Sequence, residues 1–88
     1  MLNQETFLKA VGSTIQEKRV AQKMKAGDLA KSVGLSRASI SNLENGRQNI
    51  SAYQLYKIAT ALDCVRIDDL MPKTKNQVPA AVKAWLKN

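Results

Sequence analysis

The sequence contains no histidine and a single cysteine, Cys64, in 88 residues. The lack of histidine excludes a Ser-His or Cys-His dyad, a histidine general base and histidine metal ligands. One cysteine excludes an intrachain disulfide and a cysteine-rich zinc site, and a lone thiol suits a reducing compartment. We therefore expect no enzyme activity, no metal and no cofactor, and we expect Cys64 to be a small core residue.

Long apolar runs are also missing. No stretch approaches the roughly 18 apolar residues of a membrane span, and the N-terminal segment carries Glu5 and Lys9 where a signal peptide would be apolar. We expect a soluble, cytoplasmic protein that does not enter a membrane. The length suits one domain, which we place at residues 1–72, followed by a linker and an amphipathic helix at residues 73–88.

Acidic residues are few relative to basic ones. Lys and Arg number 14 and Asp and Glu number 7, which gives a formal net charge of +7. An excess of positive charge on a small domain indicates an anionic partner, and nucleic acid is the leading candidate. The alternative from charge alone is a soluble protein that happens to be basic.

Apolar spacing predicts helices and no sheet, because no segment alternates with period two. A first helix, capped by Asn3, carries an apolar stripe that continues after a small phase drift to Val20 and Met24. The earlier members of this stripe are Phe7, Val11 and Ile15, with Leu8 beside them.

Four further helices follow from start and stop signals. The second covers residues 26–33, Ser36 caps the third, and a Ser51–Gln54 capping box opens the fourth. The fifth is a short helix at residues 68–71 that Pro72 ends. We therefore expect an all-α, compact five-helix domain.

The tail beyond a polar linker at residues 73–77 carries an apolar stripe at helical spacing. Its members are Val78, Val82, Trp85 and Leu86. A helix of about ten residues is marginal in water unless its apolar face is buried. The tail therefore either docks on its own domain or packs against a second subunit.

Residues 26–45 carry two helices joined by a sharp turn. Gly34 permits the turn, Leu35 fills its corner, and the small Ala30 lets the two helices approach closely. The apolar side chains that must meet across the turn are Leu29 and Val33 of one helix and Ile40 and Leu43 of the next. This arrangement is a helix-turn-helix.

The chain resembles the Cro and phage-repressor type of helix-turn-helix protein, the XRE family, over roughly residues 7–71. The residues that carry the resemblance are Leu29-Ala30, Val33-Gly34-Leu35, Ser36, Ile40 and Leu43-Glu44-Asn45-Gly46-Arg47. The resemblance implies a repressor-like domain, usually a dimer, that binds a double-stranded DNA operator and regulates transcription in a bacterium or phage. One departure is that Lys25 and Ala26 stand where family members often have Ser or Thr followed by Gln, so a fitted phosphate contact is lost or replaced by a point charge.

The third helix offers side chains for reading base edges if its N-terminal part enters the major groove. Arg37 can donate two hydrogen bonds to a guanine, and Asn42 can pair in the same bidentate way with an adenine. Ala38 can touch a thymine methyl, and Ser41 follows one turn later. The alternative interpretation is the solvated face of an ordinary amphipathic helix.

Phosphate contacts are expected on both sides of this helix. The predicted set is Lys25, Ser36, Ser39, Asn45, Gly46 and Arg47. Lys25 lies at a helix N-terminus, where the helix dipole favours an anion, and Gly46 would let backbone N–H groups approach a phosphate. Asn45-Gly46 can also be read as an ordinary helix stop, and both interpretations can hold together.

The resemblance further implies an ion pair between Arg19 of the first helix and Glu44 at the end of the third. A bidentate pair would hold the third helix against the first. The alternative is two unrelated surface charges, which would contribute little.

A homodimer is expected, because one helix in the groove spans too few base pairs for a useful specificity ratio. Leu70 and Met71 would be exposed apolar groups in a monomer, so the contact is placed around residues 67–71 with the tail helix beside it. The residues assigned to this contact are Ile67, Leu70, Met71, Val82, Trp85 and Leu86.

The leading hypothesis is therefore a sequence-specific, repressor-like DNA-binding regulator that reads a palindromic operator as a dimer. The alternatives are an antitoxin that also binds a toxin partner, the controller protein of a restriction-modification system, and an interaction module that has lost DNA binding. An enzyme is the least favoured class, because no catalytic constellation and no phosphate-cradling glycine motif is present.

Overall fold

A computed structural model describes residues 3–64 and 66–72, and within these ranges the chain forms helices and turns without a strand. The helices are α1 (Gln4–Ala21), α2 (Ala26–Val33), α3 (Arg37–Glu44) and α4 (Ala52–Ala61), followed by a 3₁₀ turn at Ile67–Leu70. The predicted all-helical class is confirmed. None of the helices in the described part is long and apolar enough to cross a membrane.

The predicted fifth helix is wrong in kind, because the segment forms only the 3₁₀ turn. The N–H of Asp69 donates to the carbonyl of Arg66 at 3.1 Å, which is the i to i+3 pattern of a 3₁₀ helix. Pro72 follows two residues after the turn ends, so the helix cannot lengthen into an α-helix. The described part therefore contains four α-helices, and its fifth element is a short 3₁₀ turn.

Side-chain caps set the beginnings of three helices where the sequence predicts them. The side chains of Asn3, Ser36 and Ser51 each accept a hydrogen bond from the backbone N–H three residues later, at 2.8–3.0 Å. These bonds satisfy donors that the first turn of a helix leaves without an intrahelical partner. At the start of α2 the bond runs the other way, since the N–H of Lys25 donates to the carboxylate of Asp28 at 3.1 Å.

The core is formed where α1, α2, α3, α4 and the 3₁₀ turn meet. Its buried apolar residues are Val11, Ile15, Leu29, Ala30, Val33, Ile40, Leu43, Leu55, Ile58, Ala59, Leu62 and Leu70. Leu70 has no exposed surface, so its expected role as an exposed apolar group is wrong. The 3₁₀ turn packs against both α1 and α4 and thereby directs Leu70 inward. Met71 is only half-buried.

The end of the α1 stripe also differs from its prediction. Val20 is 57% exposed, although the apolar spacing placed it on the buried face. At about 100° per residue, Val20 lies roughly 140° around the helix from Ile15. The chain then leaves α1 through a turn in which Lys23 has a φ of +57°, and Met24 packs against the core from outside the helix.

Gly12 brings α1 and α3 into close backbone contact. A side-chain Cβ at this position would lie 2.7 Å from the carbonyl oxygen of Glu44 and closer still to that of Leu43. Only a residue without a Cβ permits this approach. The contact sets the distance between α1 and the C-terminal end of α3.

Candidate nucleic-acid interface

The two helices α2 and α3 form the helix-turn-helix that the sequence predicts. Gly34 ends α2 in the left-handed conformation, with a φ of +71°, and the N–H of Leu35 donates to the carbonyl of Ala30 at 2.9 Å. Leu29 and Ile40 are fully buried on the two sides of the turn. The turn therefore holds α3 at a defined angle against α2.

The exposed side of α3 carries the side chains predicted to read bases. Arg37, Ala38 and Ser41 are exposed, and Asn42 is half-buried at the edge of the same face. These positions lie within roughly 140° of one another around the helix axis. The fold thus brings all four residues together on one surface, which no helix within residues 3–64 and 66–72 covers.

The two serines of the predicted phosphate set form the cap of α3. The N–H of Ser39 donates to the Oγ of Ser36 at 3.0 Å, and the Ser36 hydroxyl is within 3.0 Å of the Ser39 hydroxyl. Ser36 is exposed and Ser39 is half-buried. Both hydroxyls therefore take part in capping the N-terminus of α3, and their contact with phosphate stays a prediction.

The turn after α3 places Arg47 at the surface but uses its backbone N–H groups internally. The N–H of Gly46 donates to the carbonyl of Leu43 at 3.1 Å, and that of Arg47 donates to the carbonyl of Asn42 at 2.9 Å. These bonds satisfy carbonyls that the end of a helix leaves open. The backbone donors of this turn are thus used internally, the phosphate contact of Gly46 stays a prediction, and the exposed Arg47 side chain is the cationic group that the turn offers.

Gly46 is required by the packing of α1. Its φ is +69°, and a Cβ at this position would lie 2.7–2.8 Å from atoms of Lys9. Asn45 closes α3 with its side-chain amide, which donates to the carbonyl of Ser41 at 2.8 Å. Both residues of the Asn45-Gly46 pair therefore serve as a helix stop.

Lys25 lies exposed at the start of α2, on the position predicted for a phosphate contact. Asp28 stands in the first turn of the same helix and accepts a hydrogen bond from the Lys25 N–H. The carboxylate interacts favourably with the positive end of the helix dipole, and it places a negative charge beside the lysine. The positive charge of Lys25 is thus partly offset by Asp28 in the first turn of α2, and the phosphate contact of Lys25 stays a prediction.

The structure contains the ion pair between Arg19 and Glu44. The Arg19 Nε donates to Glu44 Oε2 at 2.6 Å, one terminal nitrogen donates to Oε1 at 3.0 Å, and the other donates to the carbonyl of Met24 at 2.7 Å. The side chains are 12% and 5% exposed. The hydrogen bond to Glu44 raises the pKa of Arg19, so the guanidinium stays charged at all ordinary pH values. The pair ties the end of α1 to the end of α3 and to the turn before α2.

Two features of this region escape sequence reasoning. Gly12 and Gly46 each touch a different part of the α1–α3 contact, and both positions leave no space for a Cβ. The signal for Gly12 was its place inside a helix whose apolar stripe continues, since a glycine there costs stability unless close packing needs it. For Gly46, the Asn45-Gly46 pair was already explained as a helix stop, so nothing in the sequence pointed to the contact with Lys9.

Other predicted residues fall in different places. Cys64 is free and packs against the core, and burial raises the pKa of its thiol. No group of three or more His, Cys, Asp or Glu in residues 3–64 and 66–72 is arranged to hold a metal ion. The side chain of Ile67 and the tail residues Val82, Trp85 and Leu86 lie outside the described part.

A helix-turn-helix family model matches residues 15–70, which is more than half of the chain. The matched segment includes the α2–α3 motif, the Arg19–Glu44 pair and the 3₁₀ turn. The chain therefore belongs to this helix-turn-helix family, and the resemblance seen in the sequence is confirmed.

Three relatives place the chain within this family. The ImmF control region 10 kDa protein of Bacillus phage phi105 is 36% identical over 55 residues, which are 62% of this chain and 61% of that protein. The restriction-modification controller protein C.AhdI from Aeromonas hydrophila is 33% identical, with a TM-score of 0.69 over 73% of this chain and 96% of that chain. The P22 c2 repressor protein, solved in complex with synthetic operator 9T, is 30% identical, with a TM-score of 0.65 over 69% of this chain and 91% of that chain.

Proposed function

We propose that the protein is a DNA-binding transcriptional regulator that reads double-stranded DNA through the exposed face of α3. The observation that carries the proposal is the geometry of α3 within the matched family segment. Its outward side holds Arg37, Ala38, Ser41 and Asn42, while its inward side is held by the core and by the Arg19–Glu44 pair. A rigidly held helix with a polar outer face is suited to insertion in the major groove.

The chemistry of the outer face suits base recognition. Arg37 can donate two hydrogen bonds to the O6 and N7 atoms of a guanine, and Asn42 can make a bidentate pair with an adenine. The small side chains of Ala38 and Ser41 let the helix axis come close to the base edges. We therefore assign Arg37 and Asn42 to base recognition, with Ala38 and Ser41 lining the contact.

Phosphate contacts would flank this face. Arg47 lies exposed in the turn after α3, and Lys25 lies exposed at the start of α2. Side-chain contacts to phosphates position a protein on the duplex without reading sequence. Arg47 is assigned the stronger of these contacts, because Asp28 reduces the local charge beside Lys25. Ser36, Ser39 and Asn45 are assigned secondary contacts around the ends of α3.

We further propose that the protein binds as a homodimer on a palindromic operator. One copy of α3 spans too few base pairs to select a site in a genome, whereas two copies about 34–36 Å apart read two half-sites. The dimer contact is assigned to the segment after α4, where Met71 is half-buried. Leu70 is part of the core and is not available for this contact.

Repression or control of a nearby gene set is the regulatory role that the relatives favour. Their names describe a phage control-region protein, a restriction-modification controller and a repressor bound to an operator. C.AhdI matches over nearly its whole length, so a controller role is the second candidate. The antitoxin alternative receives no support from these three relatives.

The test is selection of binding sites from a pool of randomised duplexes, followed by titration of the selected site at several salt concentrations. We expect a palindromic consensus and an affinity that falls with salt, with about −0.9 in the slope of log K against log salt for each neutralised phosphate. Sedimentation of the complex should show two protein chains per site. A chain that enriches no sequence, or an affinity independent of salt, would overturn the proposal.

A further inference from the structure

A groove in two parts runs along α1 on the side that points away from α3. The first hollow, of about 550 Å³, is lined by Thr14, Glu17, Lys18, Ala21, Asp69, Met71 and Pro72. The second, of about 350 Å³, shares Lys18, Ala21 and Asp69 with the first and extends the groove to Asp63 and Cys64. The groove is open to solvent at the point where the described chain reaches Pro72.

The direction of the groove follows from helix geometry. Arg19 and Gly12 mark the side of α1 that contacts α3. Glu17 and Ala21 are each two positions from Arg19, which is roughly 160° around the helix. The groove therefore lies on the opposite side of α1 from α3.

Charge is divided unevenly between this groove and the tail. Glu17, Asp63 and Asp69 line the groove against one cation, Lys18. Residues 73–88 carry four lysines and no acidic residue, so the net charge of this segment is +4. Residues 1–72 carry the other ten basic residues and all seven acidic residues, so their net charge is +3. The tail thus has the charge that complements the groove, and it follows directly from the groove's edge.

The length of the tail's apolar stripe also suits the groove, whose apolar lining residues include Ala21, Met71 and Pro72. Val78, Val82, Trp85 and Leu86 form one stripe at helical spacing, and Pro79 stands just after its start, where proline favours the first turn of a helix. Nine residues of helix span about 13 Å, and the α1 segment from Thr14 to Ala21 spans about 11 Å. The five residues from 73 to 77 are long enough to turn the chain back toward Ala21 and Met71 at the groove floor.

We propose that residues 78–86 of the same chain dock in this groove, with Trp85 against Ala21 and Met71 and with the linker lysines Lys73 and Lys75 near the groove carboxylates Glu17 and Asp69. Docking buries the apolar stripe that cannot hold a helix unaided in water. It also keeps the tail lysines on the side of the domain away from α3, so they do not act as DNA contacts. The inference does not depend on the proposed DNA binding, but it uses Met71, which the proposed dimer contact also uses, and the dilution experiment below distinguishes the two.

Trp85 is the only tryptophan in the sequence, so its fluorescence reports the tail alone. In the free full-length protein we expect blue-shifted emission and weak quenching by acrylamide, both unchanged when the protein is diluted. The double variant Glu17→Lys/Asp69→Lys should shift the emission to the red and raise the quenching constant several-fold. Glu5→Lys is the control, because it makes the same acid-to-lysine change once, at an exposed position of α1 outside the groove, and should leave Trp85 protected.

A second variant keeps the test independent of damage to the groove. Lys73→Glu/Lys75→Glu changes only the tail, and we expect the same rise in quenching while thermal unfolding of the domain still gives a cooperative transition. Three results would overturn the proposal. They are a solvent-exposed Trp85 in the free protein, protection that disappears on dilution and so belongs to a second copy, and protection that requires added duplex DNA.

Discussion

The two faces of the eight-residue helix α3 differ in burial and in the role of their side chains. The inward face consists of Ile40, Leu43 and Glu44, which are at most 8% exposed and contact α1 and α2. The outward face presents Arg37, Ala38 and Ser41 to solvent, and no element in the described part of the chain covers it. Side chains on the inward face decide whether α3 is held in place, and those on the outward face decide what it can bind. Substitutions should therefore separate stability from DNA binding within one helix.

The largest expected effect is on the inward face. Glu44→Ala leaves the Arg19 guanidinium buried without its carboxylate, and breaking a buried pair in this way costs about 3–5 kcal/mol. Thermal or urea unfolding followed by circular dichroism measures the loss. Arg19→Lys is the informative companion, because lysine keeps the charge but cannot reproduce the three hydrogen bonds, and it should lose part of the same free energy. If both variants keep the unfolding free energy of the original protein, the ion pair contributes nothing measurable to stability.

Gly12→Ala should cost about 1–3 kcal/mol through overpacking, because the added methyl meets the backbone carbonyls of Leu43 and Glu44. Alanine is the better helix former, so the sign of the effect distinguishes packing from propensity. Gly27→Ala in α2 is the control, since a Cβ there meets no atom within 4 Å, and it should stabilise the protein slightly. A stabilised Gly12→Ala would show that α1 and α3 are not held at this distance.

The outward face should respond only in binding. Arg37→Ala is expected to weaken binding to a cognate site by about 1–3 kcal/mol and to relax the base preference at one position, while the unfolding midpoint stays the same. Lys31→Ala is the matched control, because this exposed cation lies on the outer face of α2. A loss of stability in Arg37→Ala, or equal losses on cognate and random duplexes, would contradict the division between the two faces.

The smallest effect is expected at the turn after α3. Arg47→Ala removes an exposed cation without touching the core, so binding to cognate and random DNA should weaken by similar factors. The slope of log K against log salt should become shallower by about 0.9, the share of one phosphate. If Arg47→Ala changes the consensus sequence instead, its side chain reads bases and the assignment to phosphate is wrong.

Local chemistry was enough to predict most of the helix boundaries. Asn3, Ser36 and Ser51 cap their helices as expected, because a capping bond joins a side chain to a backbone group only three residues away. The sharp turn at Gly34 followed from the same local reasoning, since the left-handed conformation favours glycine.

The errors share a different cause. Val20 and Leu70 were assigned to the wrong environment because periodicity gives the face of an element but not the element that covers it. The short turn at 67–70 packs Leu70 into the core, and Val20, although it is still within α1, lies roughly 140° around the helix from the buried Ile15. The close approach of Gly46 to Lys9 was not predicted either, because the two residues are far apart in the sequence.

The sequence by itself determined the all-helical class, the helix starts and the helix-turn-helix, because these depend on periodicity and on interactions within a few residues. The side chains on the outer face of α3 could also be named in advance, since they follow from the phase of a single helix. Only the tertiary structure decided how closely α1 approaches α3, that Leu70 is buried, and that the backbone donors of Gly46 and Arg47 are already used. Those outcomes depend on contacts between residues distant in the chain, and a one-dimensional pattern contains neither their distances nor their competition for the same hydrogen bonds.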